Sequence, residues 1–163
     1  MKRSKPPLPD PPKVAAVVFD GSNVLASNGR GGLERIDAAL SWCGDRWPGL
    51  PRMVFLDAAT ARRLRPAAQD VLRARCADVT PERARWAVAP PEEEADVHVL
   101  EFAREHRALV ISNDRFFDHE ELRLGAITLQ FRFAGGAFAP YDEATWFRPS
   151  GGAQRVAVSD LVV

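Results

Sequence analysis

A run of six apolar residues at 14–19 ends abruptly in Asp20 and Gly21. A strand with one wet face alternates polar and apolar residues. An unbroken, valine-rich run closed by a turn signal belongs instead to a strand buried on both faces, as in a parallel sheet. Parallel strands need helical crossovers, and the rest of the chain supplies them. Leu33, Ile36, Ala39, Leu40 and Cys43 mark one helical face. Residues 53–56 read as a second strand ending at Asp57, and the alanine- and arginine-rich stretch 58–77 as helix in two pieces, interrupted by Pro66. A third strand at 85–88 precedes Pro90 and Pro91. These introduce a helix whose first turn is Glu92, Glu93 and Glu94, with Ala95, Val99, Phe102 and Ala103 towards the core. Residues 108–111 form a fourth buried strand and 127–133 a fifth, extended by 138–141 after a turn at Gly135 and Gly136. Strand and helix alternate, which predicts an α/β fold, a Rossmann-like three-layer sandwich around a mainly parallel sheet of about five strands.

The order of segments divides the chain into an extended leader at 1–13 with five prolines, a domain at 14–148, and a tail at 149–163 whose packing stays open. With 163 residues and 46% apolar content there is material for one sizeable core. The longest apolar run falls far short of the roughly 20 residues of a membrane helix, and the leader lacks an apolar secretion segment. The expectation is therefore a cytoplasmic protein with no membrane partner. Cys43 and Cys76 give neither a disulfide framework nor a metal spacing, which fits a reducing compartment. The 22 basic and 22 acidic residues cancel, which excludes a protein that coats nucleic acid by bulk charge. Their distribution is uneven: residues 52–85 hold eight Arg against four acids, whereas 90–121 hold ten acids against three Arg. A basic face beside an acidic pocket suits a polyanion held next to a metal-charged site, and two solvated helices of opposite charge give the same count.

In a doubly wound sheet the site lies beyond the carboxyl ends of the strands. Asp20 and Asp114 fall there, Asp118 follows Asp114 by four residues so that a helical turn would align them, and Asp96 lies near the start of the preceding helix. Four converging carboxylates repel one another unless a cation joins them, and hard oxygen donors call for Mg²⁺ or Mn²⁺. Each residue also has a plainer role open to it: a turn for Asp20 and Gly21, helix caps for Asp114 and Asp118, a surface acid for Asp96. His98, His106 and His119 read as surface or helix-end residues. Ser22 and Ser112 lack the setting of a nucleophilic serine, and the glycine-rich loop at 29–32 is no phosphate loop.

Two stretches resemble a known family. VVFDGSNV at 17–24, followed by LASNG at 25–29, looks like the opening motif of NYN domains of the Regnase type, which are PIN-like metal-dependent ribonucleases. ISNDRFFD at 111–118 is similar to the family's second signature, and Asp96, eighteen residues before Asp114, falls where the family carries its remaining acid. The resemblance covers residues 14–122 and implies a PIN-like fold. It implies that Asp20, Asp96, Asp114 and Asp118 hold the metal and that Asn23 orients Asp20 or contacts the scissile phosphate. Ser22, Ser112 and Glu94 would support these groups, while Arg30, Arg35, Arg62 and Arg63 would grip RNA phosphates. The family often carries paired acids where this chain has Ala95 and Asp96.

The expected function is a Mg²⁺- or Mn²⁺-dependent endoribonuclease that cleaves single-stranded RNA by activated-water attack, leaving a 5′-phosphate and a 3′-hydroxyl. Two alternatives stand beside it: an NYN-fold module that binds RNA or protein without turnover, and a PIN-like toxin with an inhibitor protein as partner. A homodimer is a further expectation. A haloacid-dehalogenase-like phosphatase is excluded, since position 22 is Ser rather than an acid and no lysine follows Lys13.

Overall fold

The computed structural model describes residue 7, residues 9–27 and residues 32–162. Its strands are β1 (Ala16–Asp20), β2 (Arg52–Leu56), β3 (Arg85–Val88), β4 (Ala108–Ile111), β5 (Ile127–Leu129), β6 (Phe131–Ala134), β7 (Ala137–Pro140), β8 (Glu143–Phe147) and β9 (Ala153–Ala157). Its helices are α1 (Gly21–Ala26), α2 (Leu33–Arg46), α3 (Ala58–Arg63), α4 (Pro66–Ala77) and α5 (Ala95–His106). Seven strands form one sheet in the order β3-β2-β1-β4-β5-β8-β9, and β6 with β7 form a separate hairpin. Pairing is parallel from β3 through β5, then antiparallel across β5-β8-β9.

Strand β1 lies between β2 and β4 with all five residues buried, as its unbroken apolar run requires. Its side chains alternate between two cores. Val17 and Phe19 join Leu109, Ile111, Ile36, Ala39 and Leu72 on the α2 and α4 side, while Ala16 and Val18 meet Val110, Val99, Leu100 and Ala103 of α5. The result is the expected three-layer α/β sandwich, with a larger sheet than five strands. Of the helical face expected on α2, Leu33, Ile36, Ala39 and Cys43 are buried.

The expected fifth strand is two. After β5 the chain leaves the sheet at Gln130, because the Phe131 amide donates to the Asn113 side chain at 2.8 Å rather than to a neighbouring strand. It then folds into the β6–β7 hairpin at Gly135 and Gly136, whose φ values of 57° and 80° are the pair that a tight mirror-image turn demands. Strand β8 buries Ala144 and Trp146, and β9, in the segment left open as a tail, pairs with it along its whole length. Leu161 beyond it is fully buried, and its carbonyl accepts from the Val14 amide at 2.9 Å.

Helix α5 begins at Ala95, so Glu92 and Glu93 precede it rather than forming its first turn. The cause is a turn in which the Glu93 amide donates back to the Pro90 carbonyl at 3.0 Å, leaving Glu94 as the N-cap residue. The three-residue shift brings Asp96 into the first helical turn, at the site's end of the sheet. Among the described residues, no helix is long and apolar enough to cross a membrane.

Candidate active site

Helix α1 starts directly from the end of β1, with Asp20 as its N-cap. One Asp20 carboxylate oxygen accepts from the Asn23 amide at 3.2 Å. So tight a strand-to-helix turn needs Gly21: a Cβ there would stand 2.8 Å from the Phe55 carbonyl oxygen. The other Asp20 oxygen accepts from the fully buried Ser112 hydroxyl at 2.8 Å, and that Ser112 oxygen in turn accepts from the Asp114 amide at 3.0 Å. One hydroxyl thus joins the ends of β1 and β4. Asp20 is 3% exposed, and burial pushes its carboxyl up to about 7. The Ser112 donation pulls it back, the charge of Asp96 raises it, the Asn23 amide lowers it, and the charge of Asp114 raises it again.

Asp96 is half-buried, and its carboxyl is raised first by burial and next by the charge of Asp114, with His119 acting in the opposite sense. Three of the four expected acids, Asp20, Asp96 and Asp114, therefore share one electrostatic environment. Asp118 is placed differently. Phe116 takes a left-handed conformation at φ 54° and only then does a single 3-10 turn, Phe117–His119, follow. The helical path that would align Asp118 with Asp114 is absent, and Asp118 is exposed on that turn.

Asn23 does not point a free carbonyl at the site: its side-chain oxygen accepts from the Asn113 amide at 2.8 Å. Asn113 is itself fastened to Ser27, Phe131 and Gln130, so α1, the loop after β4 and the start of β6 are tied at one residue. Ser22 reaches the neighbouring strand rather than Asp20, its hydroxyl accepting from the Asp57 amide at 2.9 Å. Glu94 is an exposed cap residue held by His119 at 2.7 Å. Arg62 and Arg63 are exposed in the last turn of α3, Arg63 near enough to Asp57 to favour its charge. The Arg35 guanidinium stacks 5.0 Å from the Phe133 ring centre, packing the hairpin onto α2. Arg30 lies outside the described residues.

Sequence reasoning missed two residues. Asp57 ends β2 as Asp20 ends β1, caps α3 through Thr60, and adds its charge to the environment of Asp96. Burial raises its carboxyl, but the Thr60 amide, the Ser22 and Thr60 hydroxyls and Arg63 together outweigh this and hold it below the usual range. The shared strand-end pattern was the available signal. His119, with a side chain 18% exposed, bridges the loop after β4 to α5 through a contact 25 residues back in sequence. No local pattern announces that.

The donor chemistry fits a hard divalent cation. Each Asp20 oxygen accepts one hydrogen bond and keeps a lone pair, and the groups facing it are carboxylates whose mutual repulsion a cation would relieve. Among the described residues no three His, Cys, Asp or Glu side chains already close around one point, so ligation needs side-chain rotation towards the ion. A cavity of about 1080 Å³ is floored by residues of β5, β8 and β9, and none of the four expected acids lines it. Arg115, which follows Asp114, and Gln130, bonded to the Asn113 carbonyl, are among its lining residues.

No protein-family model matches the chain, and no curated protein does. Among solved structures the chain is similar to Arabidopsis thaliana nuclear protein-only RNase P 2 (PRORP2), with a TM-score of 0.59 and 12% sequence identity. The match covers 86% of this chain and 35% of that one, so this chain corresponds to about a third of that protein's length. At this identity the likeness is one of fold. It agrees with the α/β architecture expected from the sequence and does not single out the Regnase type.

Proposed function

We propose that this chain is a Mg²⁺- or Mn²⁺-dependent endoribonuclease of the Regnase-like NYN type, cutting single-stranded RNA by activated-water attack on a phosphodiester. The observation that carries this reading is the buried Asp20 carboxylate, oriented by Ser112 and Asn23 and facing the charges of Asp96 and Asp114. Three carboxylates that feel one another's charge, one of them desolvated, cost a protein stability, which supports reading them as acids that gather around a cation.

In this reading Asp20, Asp96 and Asp114 hold the ion, and Asp118 is the fourth acid. When bound, the ion supplies an acidified water and positive charge against the transferring phosphoryl group. The chain's own residues do the rest. Ser112 fixes Asp20 and the backbone of Asp114 through one oxygen, so the two acids keep a common frame. Asn23 and Asn113 lock the loop that carries Asp114 to the helix that starts at Asp20. Arg62 and Arg63 meet the RNA backbone from the α3 side. Arg115, on the loop that follows Asp114, lines the sheet-floored cavity, which would give an unstacked strand room.

A second reading, an RNA-binding module without turnover, is favoured by one observation. Ala95 is 6% exposed and faces the core, so the position at which the family often carries an acid offers none to a metal. Incubating wild type and Asp20→Asn with labelled single-stranded RNA or DNA, in Mn²⁺, Mg²⁺ or EDTA, separates the two. Metal-dependent RNA cleavage that vanishes in Asp20→Asn supports the nuclease. Binding without cleavage in every metal supports the module.

A further inference from the structure

The sequence places His119 among surface residues, yet its side chain is mostly buried and makes a contact that the site otherwise lacks. The backbone ladder joins only two of the three elements that carry the acids. Asp20 and Asp114 follow adjacent strands, whereas Asp96 sits in the first turn of α5, a separate layer. The hydrogen bonds that the Ser112–Asn113 part of the loop makes to other elements run towards β1, α1, β5 or the start of β6, and none towards α5. Further on, Arg104 holds the Glu121 and Leu122 carbonyls, but from the last turn of α5, away from Asp96. Among the described residues, the bond from His119 Nε2 to Glu94 Oε2 at 2.7 Å ties the acid-bearing loop to the start of α5.

We propose that His119 is a positioning residue of the nuclease site, holding the Asp114 loop against the first turn of α5 through Glu94 so that Asp96 and Asp114 stay together. Like charges on two separate elements push those elements apart, and the loop between them turns on the left-handed Phe116. Phe116 packs the middle of the loop onto the body of α5, and the His119–Glu94 tie on the far side of that turn adds a hold at the helix start, limiting how far Asp114 can retreat from Asp96. His119 also stands near enough to Asp96 to oppose the repulsion from Asp114. Its Nε2 donates to Glu94 in the neutral Nε2–H tautomer as well as in the protonated ring, so the tie does not depend on titration. This inference rests on the nuclease reading for its catalytic consequence, but not for its effect on metal binding.

The test uses the full chain with His119→Ala, Glu94→Ala, the double variant and His119→Gln, whose amide can reach the same carboxylate. Two readouts are taken: Mn²⁺ affinity by calorimetry, and kcat and KM on a single-stranded RNA. Loss of a group that orients metal-holding side chains costs about tenfold or more in metal affinity. His119→Ala and Glu94→Ala should each show that loss and a matching fall in kcat with KM unchanged, the double variant should be no worse, and His119→Gln should recover. Wild-type Mn²⁺ affinity in His119→Ala overturns the proposal, as does His119→Gln behaving like His119→Ala. Should the wild type bind Mn²⁺ but leave RNA intact, the nuclease reading fails while the affinities still decide the role of His119. A wild type that binds no Mn²⁺ overturns both.

Discussion

The two sides of the site are built in opposite ways. Asp20 sits at the end of a fully buried central strand, and both its oxygens are hydrogen-bonded within elements whose geometry the sheet dictates. Asp114 and Asp118 sit on an irregular loop, steered by one left-handed residue and fastened by the Asn23 and Glu94 side chains and the Phe131 amide. The first acid is fixed by the fold before any ligand arrives, at the cost of desolvation. The others keep freedom to adjust, at the cost of needing ties. As a cation site, this arrangement would have one rigid reference point and a movable rim, and the two halves should respond differently to perturbation.

Asp20→Asn should give the largest effect, and in two directions. Removing one negative ligand at the rigid point should lower metal-dependent cleavage about 10³-fold or more, measured in single-turnover assays. The same variant should be more stable than wild type in metal-free buffer near pH 8. The Asp20 carboxyl is raised from 3.8 to about 7 in the fold, so its contribution to stability is fully present below pH 4 and is lost as pH rises through 7. That loss amounts to about 4 kcal/mol, because each tenfold change in proton affinity is worth about 1.36 kcal/mol. Urea titrations between pH 4 and 8 in EDTA should show the decline in wild type and a flatter profile in Asp20→Asn.

On the loop side, Phe116→Ala should cost about 3–4 kcal/mol, because the ring is 1% exposed and packs against the α5 core. Cleavage should fall with it even at temperatures where the variant is fully folded, a difference that circular dichroism alongside activity will read. Ser112→Ala touches both halves at once. It leaves a buried Asp20 oxygen and the Asp114 amide without their partner, which should cost about 1–3 kcal/mol in denaturant titration. The smallest effect is expected from Asp118→Asn. An exposed acid on a 3-10 turn should change stability by less than about 0.5 kcal/mol, and cleavage by less than Asp114→Asn does. Equal losses in the two variants would show that the turn rearranges when the site is loaded.

The same contrast explains what can be read from the sequence. The central strands and Asp20 are legible because continuous apolar runs with an acid at the end encode a local fact, burial on both faces up to a boundary. Asp57 carries the same signature after residues 53–56, but no motif marks it. The start of α5 lies three residues later than the sequence suggests, because Pro90 and Pro91 favour a turn as well as a helix, and a backbone hydrogen bond decides between them. Helix α1 has six residues, too few to show a period. The fate of residues 127–133 depends on Asn113 taking the Phe131 amide, and the placement of His119 on Glu94. Both partners are distant in sequence, so no window along the chain contains the answer.

The tie between Val14 and Leu161 bears on how this domain meets other polypeptide. The Val14 amide and the Leu161 carbonyl are hydrogen-bonded at 2.9 Å, and Lys13 reaches the Asp160 carbonyl at 2.6 Å, so the two ends of the folded unit leave it side by side. Asp20 is six residues further along the first strand segment, which at about 3.3 Å per residue sets the carboxylates roughly 20 Å away, at the other edge of the sheet. Anything joined at either end starts from the edge opposite the acids. A permuted chain with the old ends bridged by a short linker, and new ends opened at a surface turn, would preserve every contact described for the acids.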